Sequence, residues 1–385
     1  MKKILFIIVV FLLVVQPVYG EEKNLLAPSA KSAILIEVST GEVLYEFNSH
    51  EKLAPASMTK MMSLLLIMEA LENGSIKYED MVTASKNASD MGGSQILLEE
   101  GEKMSVDDLL KGITIASGND AVVAMAETIG GSEANFVNMM NKKANELGLK
   151  DTHFQNSHGL DEENHYSSAY DMAMIARELV KHEKILEYSS IYETYLRTGT
   201  DRQTWLVNTN KLVRFKEGVD GLKTGYTGDS GYCLTATMKK DNMRVIAVAM
   251  GEPSSTTRNS EVSSMLDYAF SQYGIQKLLS KDSVIDKITL EKSKQESVEV
   301  IPKEEVSLLY RKMSEKIVPT YEISYHKINS KIEKGEVIGT LTIKDDSKVL
   351  RKVDLTVKET VRKANILDLF LKYGKDIITG NISFQ

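Results

Sequence analysis

A single cysteine, Cys233, stands among the 385 residues, so no intramolecular disulfide holds the chain and its stability must come from packing. It lies in the apolar run Tyr232-Cys233-Leu234 with no histidine near it in sequence, which suits a small buried side chain rather than a nucleophile. Basic residues are not in excess. The net charge of −7 gives no electrostatic footprint for nucleic acid. No His/Cys/carboxylate cluster has metal-ligand spacing, and no loop has a phosphate-cradling glycine pattern, so neither a metal nor a cofactor is expected. Long repeats and low-complexity tracts are absent.

The amino terminus also lacks a full membrane span. Ile4 to Val15 is apolar over 12 residues, short of the ~20 that a span needs. It follows Met1-Lys2-Lys3 and precedes Gln16-Pro17-Val18-Tyr19-Gly20-Glu21-Glu22, the layout of a secretory leader. Val18 and Gly20 fit the positions before the cut, so residues 1–20 are expected to be removed, with a retained anchor as the rival reading. The remaining chain is long enough for more than one domain.

What is present is a change of periodicity along the chain. Ala33 to Val38 and Val43 to Phe47 read as a hairpin about Ser39-Thr40-Gly41. Helical patterns follow at Pro55–Leu71, Ser105–Ala116, Ala121–Ile129, Ser132–Leu147 and Asp171–His182, with Ser105 and Asp108 resembling a capping box. From Gly218 the period becomes two. Gly231–Met238 and Met243–Met250 read as paired strands, and a helix at Glu261–Tyr273 closes this part. The order predicts an α+β fold over residues 21–275: an antiparallel sheet covered by helices, its first and last strands adjacent.

Residues 276–360 alternate as in Gly339-Thr340-Leu341-Thr342-Ile343 and predict a small all-β domain with a turn at Lys334-Gly335-Glu336. In residues 361–385, Ile366, Leu369, Phe370, Tyr373 and Ile377 recur at helical spacing among Arg362, Lys363, Lys372 and Lys375. That is the pattern of a helix lying on a membrane surface. A terminal helix packed on the β domain has the same spacing.

The segment PASMTKMMSLLLIMEAL (Pro55–Leu71) is apolar almost throughout, so its helix should be buried, yet it carries Ser57 and Lys60. Residues i and i+3 share a helix face, so hydroxyl and amine can meet. Burial drives a lysine toward its neutral form, and a neutral amine can accept a serine's proton. A snorkelling lysine beside a helix-start serine would look the same. Two further motifs change the weight: Ser117-Gly118-Asn119 at a break between helices, and Lys223-Thr224-Gly225 at the entry to the late strands.

Ser-x-x-Lys, Ser-x-Asn and Lys-Thr-Gly, in that order, form the signature of penicillin-recognising serine enzymes. With Ser-Gly-Asn in the middle, the chain resembles the low-molecular-mass penicillin-binding proteins, the serine D-alanyl-D-alanine carboxypeptidases of peptidase family S11. Ala116–Ala121, Phe154–Leu160 and Asp220–Thr227 share the likeness, as does the order of leader, catalytic domain, β domain and amphipathic tail. The resemblance implies a β-lactamase/transpeptidase-like catalytic domain. Its substrate would be a peptidoglycan stem peptide ending in D-Ala-D-Ala, with β-lactams as covalent inhibitors. It also implies an extracytoplasmic location, the tail resting on the outer face of the cytoplasmic membrane.

The resemblance assigns roles residue by residue. Ser57 is the nucleophile, Lys60 the general base, and Ser117 relays a proton to the departing D-alanine. Asn119 holds Lys60 and the substrate amide, Lys223 lowers the proton affinity of Lys60, and Thr224 donates to the substrate's terminal carboxylate. Gly225 completes the motif, and the N–H groups of Ser57 and Tyr226 form the oxyanion hole. Arg258, 35 residues beyond Lys223, matches the position of a carboxylate-binding arginine. Tyr226 departs from a familiar relative, which has histidine there. His158 and His165 are expected to brace a loop rather than act as bases. The acids of Gly159–Asn164 keep a β-lactamase in view, although the Glu-x-x-x-Asn arrangement is missing. Endopeptidase action and a non-catalytic wall-binding role complete the alternatives.

Overall fold

The computed structural model describes residues 26–371 except 296, 314–317 and 327, so the expected leader and the end of the expected tail helix lie outside the described residues. The early hairpin forms as its alternation predicts: Ser32–Glu37 pairs antiparallel with Val43–Phe47. Ser32–Glu37 also pairs with the late strand Met243–Glu252, which makes first and last strands neighbours. Gly231–Lys240 and then Val219–Thr227 extend this five-stranded antiparallel sheet to its far edge.

The strand period of two sorts side chains to opposite faces. Ile34 and Ile36 join one core with helices Lys60–Glu72, Val106–Ile115, Asn119–Gly130, Glu133–Glu146 and Ala169–Leu179. Ala33 and Leu35 join the opposite core, covered by helix Ser255–Gln272. Helix Lys60–Glu72 is central: ten of its 13 residues are buried, which fits its apolar surface on every side. Each fully buried Leu, Ile or Met contributes about 1.5–3 kcal/mol relative to exposure, so this helix is a rigid base for whatever it carries.

Serines set several helix starts by accepting a backbone N–H. Ser105 accepts from Asp108 and Ser168 from Asp171. Ser254 accepts from Thr257, which starts the last helix at Ser255 rather than at the expected Glu261, because a polar, exposed first turn carries no apolar period. A hairpin of Glu193–Leu196 with Thr204–Val207 has no counterpart in the sequence reading.

The C-terminal part is all-β. Tyr273–Leu279 follows the last helix directly and pairs with Val306–Arg311. A second sheet of five antiparallel strands encloses Val300, Ile343, Leu355 and Val357. Gly335, at φ 93°, makes the expected turn. Arg351 joins the two parts by donating to Ser39 O at 3.0 Å. Beyond the sheet, residues 366–371 are helical, and Ile366, Leu367, Phe370 and Leu371 are exposed there.

Candidate active site

The stretch expected as one helix from Pro55 is two pieces. Ala56–Thr59 is a 3-10 turn and the α-helix begins at Lys60. Ala56 has φ 48°, a conformation that costs energy for a residue with a Cβ, and it bends the chain into the turn. In a 3-10 turn positions i and i+3 eclipse, and Lys60 Nζ lies 3.0 Å from Ser57 Oγ. Two glycines let neighbours close on this turn. A Cβ on Gly159 would fall 1.9 Å from Ala56 O, and one on Gly225 would fall 2.8 Å from Pro55 O.

Lys60 is fully buried. Burial first, and the nearby Lys223 second, hold its pKa well below that of an ordinary lysine, while Asp120 opposes them. Asp120 is itself fixed by the N–H groups of Ile96, Leu98 and Ala121. Lys60 Nζ reaches Asn119 Oδ1 at 2.6 Å and His158 O at 2.7 Å. Asn119 cannot present its amide the other way round, because Nδ2 donates to Gly92 O at 2.7 Å. Both partners are pure acceptors, so they consume the two N–H bonds of a neutral amine. The remaining lone pair faces Ser57 and can take its proton.

Ser117 sits between helices Val106–Ile115 and Asn119–Gly130 with φ 64°. Its hydroxyl is buried and has no hydrogen-bond partner among the described residues. Strained backbone and an unsatisfied hydroxyl in one residue are costly, and such costs gather at functional sites.

Lys223-Thr224-Gly225 is not at the entry to a strand but inside one, the sheet-edge strand Val219–Thr227. Its glycines and polar residues interrupt the alternation from which strands are read. Lys223 is buried and donates to Thr224 O at 3.2 Å; burial, then Arg258, push it down to about 7. Thr224 Oγ1 donates to Thr209 Oγ1 at 2.7 Å. Arg258 is also buried, in the first turns of helix Ser255–Gln272, where it donates to Asn259 Oδ1 and, at 3.4 Å, to Cys233 O. Both of these hydrogen-bond partners are neutral.

Ser57, Ser117, Thr224, Gly225, Tyr226 and Arg258 line one open cleft of about 470 Å³. Lys60, Asn119 and Lys223 lie buried behind its wall. Tyr226 is exposed and its ring lies 4.4 Å from that of Tyr232. The sequence reading missed Ser94 and Thr209, which also line the cleft, and the His158 carbonyl that orients Lys60. A polar loop residue could have been suspected; a backbone carbonyl has no signature in residue types.

The histidines brace the loop. Gln155 N–H donates to His165 Nδ1, which leaves Nε2–H for Thr59 Oγ1 at 2.8 Å. Leu160 N–H donates to His158 Nδ1. Burial above all pushes both imidazoles down to about 4, so both are neutral near neutral pH. Two of the three loop acids are engaged elsewhere: Asp161 accepts from Thr227 Oγ1 and Glu162 from Asn156 Nδ2. Cys233 is buried, and burial pushes its thiol up to about 11.

A serine on a turn at a helix start, bonded to a buried lysine and facing a strand that carries a second lysine, defines a class: serine acyl-transfer enzymes served by lysine. The comparisons with known proteins narrow it. Residues 20–254 match the Peptidase S11 family, described as D-alanyl-D-alanine carboxypeptidase, and residues 273–363 match the C-terminal domain of penicillin-binding protein 5. The sequence is 53% identical to D-alanyl-D-alanine carboxypeptidase DacF of Bacillus subtilis, over 92% of this chain and 91% of that one. It is 34% identical to D-alanyl-D-alanine carboxypeptidase DacA of Escherichia coli, over 90% and 87% of the two. Among solved structures, penicillin binding protein 5 from Haemophilus influenzae superposes with a TM-score of 0.72 at 32% identity, covering 87% of this chain and 98% of that one. The chain belongs to the Peptidase S11 family of D-alanyl-D-alanine carboxypeptidases.

Proposed function

We propose that the protein removes the terminal D-alanine from peptidoglycan pentapeptide stems through an acyl-enzyme on Ser57. Neutral Lys60 takes the Ser57 proton as Oγ attacks the carbonyl carbon of the penultimate D-alanine. The tetrahedral oxyanion lies against the N–H groups of Ser57 and Tyr226, with the helix start at Lys60 adding to the favourable field. As the carbon–nitrogen bond breaks, the departing amine receives the proton from Lys60 by way of the Ser117 hydroxyl. Water then attacks the ester, Lys60 takes its proton, and Ser57 recovers that proton as the acyl group leaves. Thr224 and Arg258 receive the substrate's terminal carboxylate, and Asn119 adds a contact to the substrate amide.

One observation carries this reading: both N–H bonds of a neutral Lys60 are taken by Asn119 Oδ1 and His158 O, and Ser57 stands 3.0 Å away in the remaining direction. The same serine would be acylated by β-lactams. A cefotaxime-bound structure is known for penicillin-binding protein D2 of Listeria monocytogenes, 28% identical to this chain. The test is the chain without residues 1–20. It should release D-alanine from a pentapeptide and label with fluorescent penicillin at Ser57, and Ser57→Ala should do neither. A chain that does neither as wild type refutes the reading.

Export by the leader and attachment through the tail belong to the same proposal. No helix among the described residues is long and apolar enough to cross a membrane. The exposed Ile366, Leu367, Phe370 and Leu371 support surface attachment instead.

A further inference from the structure

Near Arg258, two carboxyl groups that do not line the cleft are buried. Glu252 ends strand Met243–Glu252 and is 1% exposed. Neither of its oxygens receives a hydrogen bond from an N–H or O–H group of the described residues. The group that faces it is Glu261, one helical turn beyond Arg258, and both Glu261 oxygens accept from Ser29 N–H at 3.2 Å. Two carboxylates cannot both remain ionised in contact inside a protein, so they share a proton. Glu261 is held by a backbone donor and Glu252 is not, so Glu252 is the better seat for that proton.

We propose that Glu252, protonated and paired with Glu261, is a positioning residue that keeps Arg258 free to receive the substrate's carboxylate. The inference rests on the carboxypeptidase reading above. An ionised Glu252 would draw the guanidinium into an internal ion pair, which would compete with the substrate for it. Instead Arg258 spends its N–H groups on Asn259 Oδ1 and Cys233 O, partners that an incoming carboxylate can displace. Burial first, then the facing Glu261, push Glu252 up to about 8, with Arg258 opposing. The other titratable groups around the pair are Cys233 and Tyr232 on the neighbouring strand, Tyr45 beside Glu261, and Lys31, whose chain lies over Gly251. The Cys233 thiol, pushed up to about 11, stays neutral through the relevant range.

The test compares KM and kcat of the wild type and Glu252→Gln from about pH 7 to pH 9 on a D-Ala-D-Ala pentapeptide. Glutamine copies the protonated carboxyl and cannot ionise. In the wild type KM should rise about fivefold more across this range than in Glu252→Gln, because one added negative charge then competes for Arg258. The separate titration of Lys223 is common to both proteins and cancels in the comparison. Infrared difference spectra of wild type against Glu252→Gln supply the second measurement: a protonated-carboxyl C=O band should be present near neutral pH and lost in the variant. Superimposable KM profiles, or a wild-type spectrum without that band, overturn the proposal. If the variant fails to fold, the wild-type band and its disappearance as the pH rises decide the matter. A wild type that releases no D-alanine refutes the activity instead, and the infrared result still judges the pair.

Discussion

Gly225 offers a change of one methyl group whose consequence can be worked out in advance. An alanine Cβ there would lie 2.8 Å from Pro55 O, 3.1 Å from Ala56 Cβ and 3.4 Å from Met58 Cγ. Comfortable carbon contacts begin at about 3.5 Å, so strand and nucleophile turn must separate by about 0.5 Å. The strand cannot retreat freely, since Gly225 is paired with Cys233 in the sheet. The turn must therefore move, and it carries Ser57. Gly225 does not have a positive φ, so alanine adds no backbone strain and gains about 0.4–1 kcal/mol through the unfolded state. Set against an overpacking cost of about 1–3 kcal/mol, the net loss of stability is small, a fall of a few degrees in Tm.

Catalysis is less forgiving. A misplacement of about 1 Å costs about a hundredfold, so one of about 0.5 Å between nucleophile and oxyanion donors costs on the order of tenfold. Gly225→Ala should therefore acylate on the order of ten times more slowly than wild type in a stopped-flow assay with fluorescent penicillin, while melting within a few degrees of it. Gly228→Ala is the control, because a Cβ there meets nothing within 4 Å. Wild-type acylation by Gly225→Ala would show that strand and turn need not approach this closely. Equal loss in both variants would show that the region tolerates no substitution for some other reason.

Other perturbations test separate parts of the argument. The fold holds His165 at about 4 against an ordinary 6.5, so between those values the unfolded chain binds the extra proton; its contribution, about 3 kcal/mol, is complete above pH 6.5 and lost as the pH falls toward 4. Urea unfolding of His165→Gln should show a shallower acid loss than wild type, and an unchanged slope would refute this. Lys223→Met removes the second cause of the low Lys60 proton affinity, so the acid limb of the acylation–pH profile should move to higher pH, whatever happens to its height; a stationary limb would leave burial as the whole cause. Deleting residues 366–385 should shift the protein from membrane to soluble fraction. The cut belongs there because Val361 is buried and bridges to Ile332, so an earlier cut would damage the β domain.

Much of the fold was legible because its signals are local. The alternation of residues 33–47 and 231–250, the apolar Pro55 helix and the Ser105 cap each depend on a few neighbouring residues. The errors lie where tertiary contacts override that pattern. The 3-10 turn at Ala56 is imposed by a loop and a strand that approach through Gly159 and Gly225, and no local propensity announces it. The Val219–Thr227 strand is half polar and glycine-rich because it serves the cleft, so its period is hidden. The three motifs name the side chains around Ser57. They are silent on the His158 carbonyl that aims Lys60, and on Glu252, which looks like one acid among many until Glu261 is placed against it.

The three buried basic residues, Lys60, Lys223 and Arg258, are coupled in series. Arg258 carries a charge that burial cannot remove, and it is a cause of the low proton affinity of Lys223; Lys223 in turn lowers that of Lys60. In the proposed function the substrate's carboxylate enters this series at Arg258. Once bound, it offsets the guanidinium charge and favours a protonated Lys223, and a protonated Lys223 disfavours a proton on Lys60. Through Lys223, the bound peptide thus works against a proton on Lys60. A solvated lysine would gain nothing from this coupling, because water would screen it. The burial that makes Ser57-x-x-Lys60 look like ordinary helix core is what allows a charge at the far end of the cleft to be felt at the nucleophile.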